Sequence, residues 1–290
     1  MSIRKPTIVT AITALVIAGL SIATAQAQAG TGGTAQVRAA AAVPTFDHIV
    51  LVMFENKASS QITASSAPYF TSLAAQGANF TQSYAITHPS QPNYIALFSG
   101  STQGVTNDDC PKNFSGANLG AQLIGAGRSF TGWSESMPSD GYTGCSSGTY
   151  KRKHNSWVDF SNVPAASNLT YARFPTNYAT LPTVSFVTPN MCNDMHDCSI
   201  GTGDTWLRTH FDSYAQWAKT HNSLLIVTFD EDNNTSINRI STSFVGAHVT
   251  TGSYAEKITH YTLLRTIEAA YGLPGIGGAT SLNPITDVWS

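Results

Sequence analysis

Charged side chains are scarce in this chain. Asp, Glu, Lys and Arg make up 11% of its 290 residues and leave a formal net charge of -2. No basic surface is therefore available to neutralise a phosphate backbone, and duplex nucleic acid is not expected as a partner. Cysteine is sparse too: Cys110, Cys145, Cys192 and Cys198 contain no Cys-x-x-Cys pair, which argues against a thiolate zinc site. Long apolar runs are also missing. The longest N-terminal run, Ile8 to Ile22, is interrupted by Thr10, Thr13 and Gly19 and is short for a membrane span, so no integral span is expected.

That run instead follows Arg4 and Lys5 and precedes the small-x-small sites Ala25-Gln26-Ala27 and Ala27-Gln28-Ala29. The order is that of a signal peptide over residues 1–29, and the chain is expected to be secreted. Residues 30–44, rich in Gly, Ala and Thr, read as a flexible leader. Residues 45–290 suit one catalytic domain of a size that buries its own core, and a monomer is expected. In an exported domain the cysteines should be oxidised. The preferred pairing is Cys192 with Cys198 and Cys110 with Cys145, although sequence leaves the alternatives open.

The apolar run Phe46 to Phe54 stops at Glu55 and Asn56, and Leu224 to Phe229 stops at Asp230 and Glu231. Continuous apolar strands belong to parallel sheets covered on both faces, where ligands collect at the carboxyl ends. Thr183 to Thr188 is a third strand, and it leads to Asp194, His196 and Asp197 between two cysteines. Further elements are expected as helices over Ala67–Gln76, Asn118–Ala126, Gly203–Lys219 (with Asp204 as N-cap) and Ile258–Tyr271. Strands are expected over Asn79–Ala85, Ser129–Trp133 and Thr242–Val249. Ser134 to Phe160 has no periodicity and reads as a long functional loop.

In Thr87-His88-Pro89-Ser90-Gln91-Pro92-Asn93-Tyr94 a strand gives way to Pro, Ser and Pro and then to an apolar run ending at Gly100. Pro92 fits a first helical turn, which places Ser90 at the positive end of a helix, where an anion is held. The plainer alternative is that Ser90 is only a cap. Gly144-Cys145-Ser146-Ser147-Gly148 matches the serine-esterase pattern but lacks the strand before and the helix after that an elbow needs, so it is set aside.

Acidic side chains at three strand ends should converge on one rim and repel one another unless a cation lies between them. His88, Lys151, Lys153, His154 and His248 are candidates to face an anionic substrate. Oxygen donors with one imidazole suit Mg, Ca, Mn or Fe better than a thiolate-type zinc centre. Serine, metal and cations together point to phosphoryl or sulfuryl transfer.

The segments His48 to Asn56, Thr87 to Tyr94, Lys153-His154-Asn155, Asp194 to Asp197, Thr228 to Glu231 and His260 to Glu268 resemble, in order, the bacterial phosphoesterase family of secreted acid phosphatases and phospholipases C. That family is itself similar to the alkaline phosphatase superfamily. The resemblance implies an α/β fold, alkaline phosphatase-like, with a mostly parallel central sheet flanked by helices. It implies Ser90 as nucleophile with Asn93, His88, His154 and His196 as catalytic partners. It also implies Glu55, Asn56, Asp230 and Glu231 on the metal; from the reading of the residues, Asp194 is expected beside them and Lys151, Lys153 and His248 near the substrate. Members with two zinc ions usually carry Asp-His after the late strand, whereas Asp230-Glu231 stands here, so one divalent metal ion is expected, Mg, Ca, Mn, Fe or Zn. The expected function is a secreted acid phosphatase working through a phosphoserine on a phosphorylated small molecule or lipid headgroup. A phospholipase C-type phosphodiesterase and a non-catalytic phospholigand binder are the alternatives.

Overall fold

The computed structural model describes residues 1–2 and 42–290, so the expected signal peptide and most of the leader lie outside the described residues. A compact unit spans Ala40–Ser290. Its elements, in chain order, are β1 (His48–Phe54), α1 (Pro68–Ala75), β2 (Ala78–Tyr84), α2 (Ser90–Ser99), α3 (Leu119–Gly125), β3 (Phe130–Ser134), β4 (Ser146–Ser147), β5 (Tyr150–Lys151), β6 (Asn168–Thr170), β7 (Val184–Thr188), α4 (Ile200–Ala218), β8 (Ser223–Phe229), β9 (Arg239–Gly246), β10 (Gly252–Thr259) and α5 (His260–Ala270). Among the described residues no helix is long and apolar enough to cross a membrane.

The central sheet has the order β10-β2-β9-β8-β1-β7-β3-β6. Every neighbouring pair is parallel except those of β9, which runs antiparallel to both β2 and β8. The apolar runs are explained by cover on both faces. Along β1, Ile49, Leu51 and Met53 enter one core with α2, α3 and α5, while Val50, Val52 and Phe54 enter a second core with α1 and α4. β8 repeats the pattern, with Leu224 and Ile226 on one side and Leu225, Val227 and Phe229 on the other.

Four sequence expectations are corrected. The helix expected to start at Gly203 starts at Ile200 and is capped by Ser199, whose side chain accepts from the Thr202 N–H. Asp204 is therefore inside α4, and its carboxylate accepts from the Tyr69 and Phe70 N–H groups at 3.1 and 2.8 Å. It caps α1, whose own N-cap Ala67 has no side chain for the task. The strand expected to end at Val249 is β9, which ends at Gly246 and runs opposite to the others. Residues 252–259 form an unforeseen edge strand, so α5 begins at His260. Finally, the loop from Ser134 to Phe160 contains the β4–β5 hairpin and short helical turns at Arg152–His154 and Ser156–Asp159. The disulfides are Cys110–Cys145 and Cys192–Cys198, as preferred. Ser146 pairs with Lys151 in the hairpin, which rules out a nucleophile elbow at that position.

Candidate active site

Parallel strands point their carboxyl ends at one rim, and β1, β2, β7 and β8 all deliver polar segments there. β1 and β8 are in register, Phe54 beside Phe229, so Glu55 and Asp230 emerge side by side. Asn56 adopts the left-handed conformation at φ 57°, which asparagine tolerates better than most residues. This turns its N–H onto Asp230 Oδ1 at 2.9 Å, while its carboxamide donates to Glu55 Oε2 at 3.1 Å. β7 leads into the disulfide-pinned loop, where the Asp194 carbonyl accepts the Glu55 N–H at 2.9 Å.

β2 supplies the hydroxyl. Ser90 is the first residue of α2, follows an N-cap proline without a capping side chain, and is 2% exposed. Its Oγ donates to Glu55 Oε2 at 2.9 Å and lies 3.4 Å from Glu231 Oε1. A buried serine at a helix N-terminus, facing two carboxylates, has proton acceptors in reach. His88 sets the angle of Glu231: its Nδ1 is 2.6 Å from Glu231 Oε2 and its Nε2 is 3.0 Å from the Thr235 carbonyl. Burial lowers the His88 pKa, but the Thr235 carbonyl and Glu231 together outweigh it and raise it above the ordinary value.

The electrostatics are those of crowded anions. Burial, then the charges of Asp230 and Asp194, lift Glu55 well above the carboxylate range. Burial pushes Asp194 to about 7 and Asp230 to about 6, and burial with the Asp230 charge brings Glu231 to about 7. His154 is held well below its usual value by burial and then by Lys153 and His196. Its ring stacks on Tyr94 with centroids 5.0 Å apart, its Nε2 is 3.2 Å from Glu55 Oε1, and its Nδ1 is 3.4 Å from Asp194 Oδ2. Glu55 Oε1, Asp194 Oδ2, Asp230 Oδ2 and His154 Nε2 are all buried without a hydrogen-bond partner.

Those orphaned atoms test the fit of a cation. Each would lack a favourable partner in a dry cluster of negative charge, and hard oxygen donors are what a divalent ion takes. The chemistry of the donor set therefore fits, although among the described residues no three His, Cys, Asp or Glu side chains stand gathered around a single point.

The other expected residues divide. Lys153 reaches the rim, its Nζ 2.7 Å from Asp108 Oδ2 and its charge felt by Glu55 and Asp230. His196 lies at the mouth, half-buried, with Nδ1 2.7 Å from Asp197 Oδ1 and its ring 6.2 Å from that of His154. Asn93 lies against the acidic group, its side-chain amide 3.5 Å from Glu231 Oε2. Its carbonyl accepts from Ile86 and Thr87, and its amide donates to the Thr87 and Pro89 carbonyls, so it shapes the loop before Ser90. Lys151 pairs by its backbone with Ser146, and among the described residues no ion pair engages its side chain.

His248 is a correction. Its Nε2 contacts Asn222, which precedes β8, and its ring lies beside Phe46, which precedes β1. It thus sits at the amino ends of the parallel strands, away from Ser90, because β9 runs backwards. Sequence reasoning missed Lys57, whose Nζ donates to the Met195 carbonyl at 2.9 Å beside the acidic cluster. Its signal was its place two residues after Glu55. Asp108 was missed too, since nothing in its local sequence marks it.

Comparison with known proteins accords with this geometry. The profile of the Phosphoesterase family matches residues 58–274. The chain belongs to that family. It is 54% identical over 256 residues to the phosphatidylinositol-3-phosphatase of Mycobacterium tuberculosis, covering 87% of this chain and 85% of that protein. It is 32% identical over 265 residues to the phosphate-repressible acid phosphatase of Penicillium chrysogenum, covering 83% of this chain and 64% of that longer enzyme. Among solved structures, an alkaline phosphatase superfamily protein from Vibrio parahaemolyticus superposes with TM-score 0.58 at 12% identity, covering 86% of this chain and 73% of the other. Murine ectonucleotide pyrophosphatase/phosphodiesterase 5 gives 0.57 at 10% identity, covering 83% and 100%. The fold is that of the alkaline phosphatase superfamily, and this phosphoesterase is a phosphoric ester hydrolase.

Proposed function

We propose that the chain is a secreted, metal-dependent acid phosphatase that cleaves phosphate monoesters through a phosphoserine at Ser90. The observation that carries this reading is the Ser90 hydroxyl at the first residue of α2, donating to Glu55 at 2.9 Å within a group of buried acids. Glu55, Asn56, Asp230 and Glu231 would hold one divalent cation, whose charge would lower the hydroxyl pKa and offset charge on the phosphoryl oxygens.

The chain's own groups supply the rest. As Ser90 Oγ forms its bond to phosphorus, its proton passes to Glu55 Oε2 or to Glu231 Oε1, the acceptors already facing it. Lys153 and His154 face the phosphoryl oxygens. His196, oriented by Asp197, gives a proton to the departing alcohol as its bond to phosphorus breaks. Water then takes the alcohol's place: its oxygen bonds to phosphorus while His196 takes up its proton, the bond from phosphorus to Ser90 Oγ breaks, and the carboxylate returns the proton to Ser90 as phosphate leaves. The Mycobacterium relative acts, by its name, on a phosphoinositide, which supports a phospholipid headgroup monoester as the substrate.

The test compares p-nitrophenyl phosphate with its bis ester, for wild type and Ser90→Ala, with and without chelator. Monoester turnover should exceed diester turnover, fall with chelator, and drop by at least about 10³-fold in Ser90→Ala. An acid-quenched reaction should show phosphate on the peptide holding Ser90. Undiminished turnover in Ser90→Ala would end the proposal.

A further inference from the structure

The carboxylate of Asp108 joins two parts of the rim that no strand connects. Oδ1 accepts the Gln91 N–H at 2.9 Å, and Oδ2 accepts from Lys153 Nζ at 2.7 Å. The first contact lies in the opening turn of α2, one residue after Ser90, a turn that has no capping side chain of its own. Pro92 contributes no N–H to that turn, so Gln91 supplies one of its few free donors and Asp108 takes the cap's place. The second contact holds the rim cation whose charge reaches Glu55, Asp230 and His154.

The surroundings fix Asp108 from two further directions. The Gln91 carboxamide is fully buried and, turned so that its nitrogen faces acceptors, donates to the carbonyls of Asp109 at 3.0 Å and Asn107 at 3.3 Å. Cys110, two residues on, is bridged to Cys145, whose carbonyl accepts the Arg152 N–H at 3.0 Å, next to Lys153. The disulfide and the Asp108–Lys153 ion pair thus tie the same two loops together. A flexible four-carbon side chain keeps one position here because both its root and its tip are anchored.

We propose that Asp108 is a positioning residue that fixes the Lys153 ammonium against the nucleophile helix, and that this geometry sets the preference for dianionic phosphate monoesters over diesters. The inference rests on the monoesterase reading of Ser90. An ammonium locked in place meets the extra charge of a monoester dianion without paying to order its side chain, whereas a diester monoanion gains less from it.

The experiment is a double-mutant cycle on the full chain, with p-nitrophenyl phosphate and its bis ester as probes. Asn at position 108 can still accept the Gln91 N–H but loses the ion pair. Asp108→Asn is expected to lower monoester kcat/KM by about 10-fold and diester kcat/KM by less than about 3-fold, with Asp108→Glu recovering most of the loss. In a Lys153→Met background, Asp108→Asn should change monoester turnover by less than about 2-fold, because the residue acts through the lysine. An equal loss on both esters, or the same 10-fold loss with Met at 153, would overturn the proposal. So would an Asp108→Asn enzyme indistinguishable from wild type. The Ser90→Ala arm is separate: if that variant stays active the monoesterase reading falls, whereas an inactive Ser90→Ala beside an unaffected Asp108→Asn sinks only this inference.

Discussion

Without a bound divalent ion the protein's stability should fall as pH rises, and Glu231→Gln should flatten that fall. Glu231 titrates at about 7 in the fold against about 4.5 for a free glutamate, so over roughly 2.5 pH units the folded chain keeps a proton that the unfolded chain has lost. The sign follows. A carboxyl whose folded pKa is raised is stabilising at low pH, and the contribution is lost as pH climbs through the folded value. The size is about 3 kcal/mol between pH 4.5 and 8. Burial is the first cause of the rise, with the Asp230 charge second, and the figure counts Glu231 alone. For a domain of this length the change corresponds to roughly 6–12 °C in Tm. A divalent ion at about 100 times its Kd would restore about 2.7 kcal/mol at the high-pH end. The assay is thermal melting in chelator from pH 4.5 to 8, repeated with Mg, Ca, Mn or Zn, for wild type and Glu231→Gln. The glutamine keeps an acceptor for Ser90 while removing one charge, so its chelated melts should be flatter and should respond little to added metal. Parallel melting curves for the two proteins across the pH range, or a wild type that no divalent ion stabilises, would refute the reasoning.

Asp204→Ala would leave the Tyr69 and Phe70 N–H groups of α1 without their acceptor. Loss of about 2–4 kcal/mol is expected in urea unfolding, with KM for p-nitrophenyl phosphate unchanged. His248→Ala, at the far end of the sheet, should keep kcat/KM within about 2-fold of wild type, since an exposed contact to Asn222 is worth little; a larger loss would place His248 back at the site.

The rim was legible because of how parallel sheets are written. A strand buried on both faces cannot contain a charge, so the first carboxylate after Phe54 or Phe229 marks the place where the chain reaches solvent or a ligand. Register then does the rest, because β1 beside β8 puts Glu55 against Asp230. Ser90 was legible for a related reason: proline and serine ahead of an apolar run announce a helix start. Lys57 and Asp108 were not legible. Each acts through a contact distant in sequence, Lys57 with Met195 and Asp108 with Lys153, and such pairings are decided by how loops cross the rim rather than by any local pattern. Asn93 was found for its position, but its side chain serves the loop that presents Ser90.

His248 is kept from the rim by the direction of its strand. Assigning it to the rim assumes that its strand runs with the others. Yet only the segment from Asp230 to Asn238 links β8 to β9, and a parallel neighbour needs a crossover of a dozen or more residues. So short a link forces an antiparallel return, which sends the end of β9 to the opposite edge. The same shortness has a consequence at the site. Because the chain must reverse at once after Asp230 and Glu231, the turn is pulled tight across the rim: Asp232 accepts the Thr235 N–H at 2.7 Å and Asn238 donates to the Thr87 carbonyl at 2.8 Å. That turn brings the Thr235 carbonyl to His88 and so holds the imidazole on Glu231. The reversal that carries one histidine to the far end of the sheet therefore fixes another at the rim, and lengthening the Asp230–Asn238 turn should release His88 and Glu231 together while leaving Ser90 on its helix.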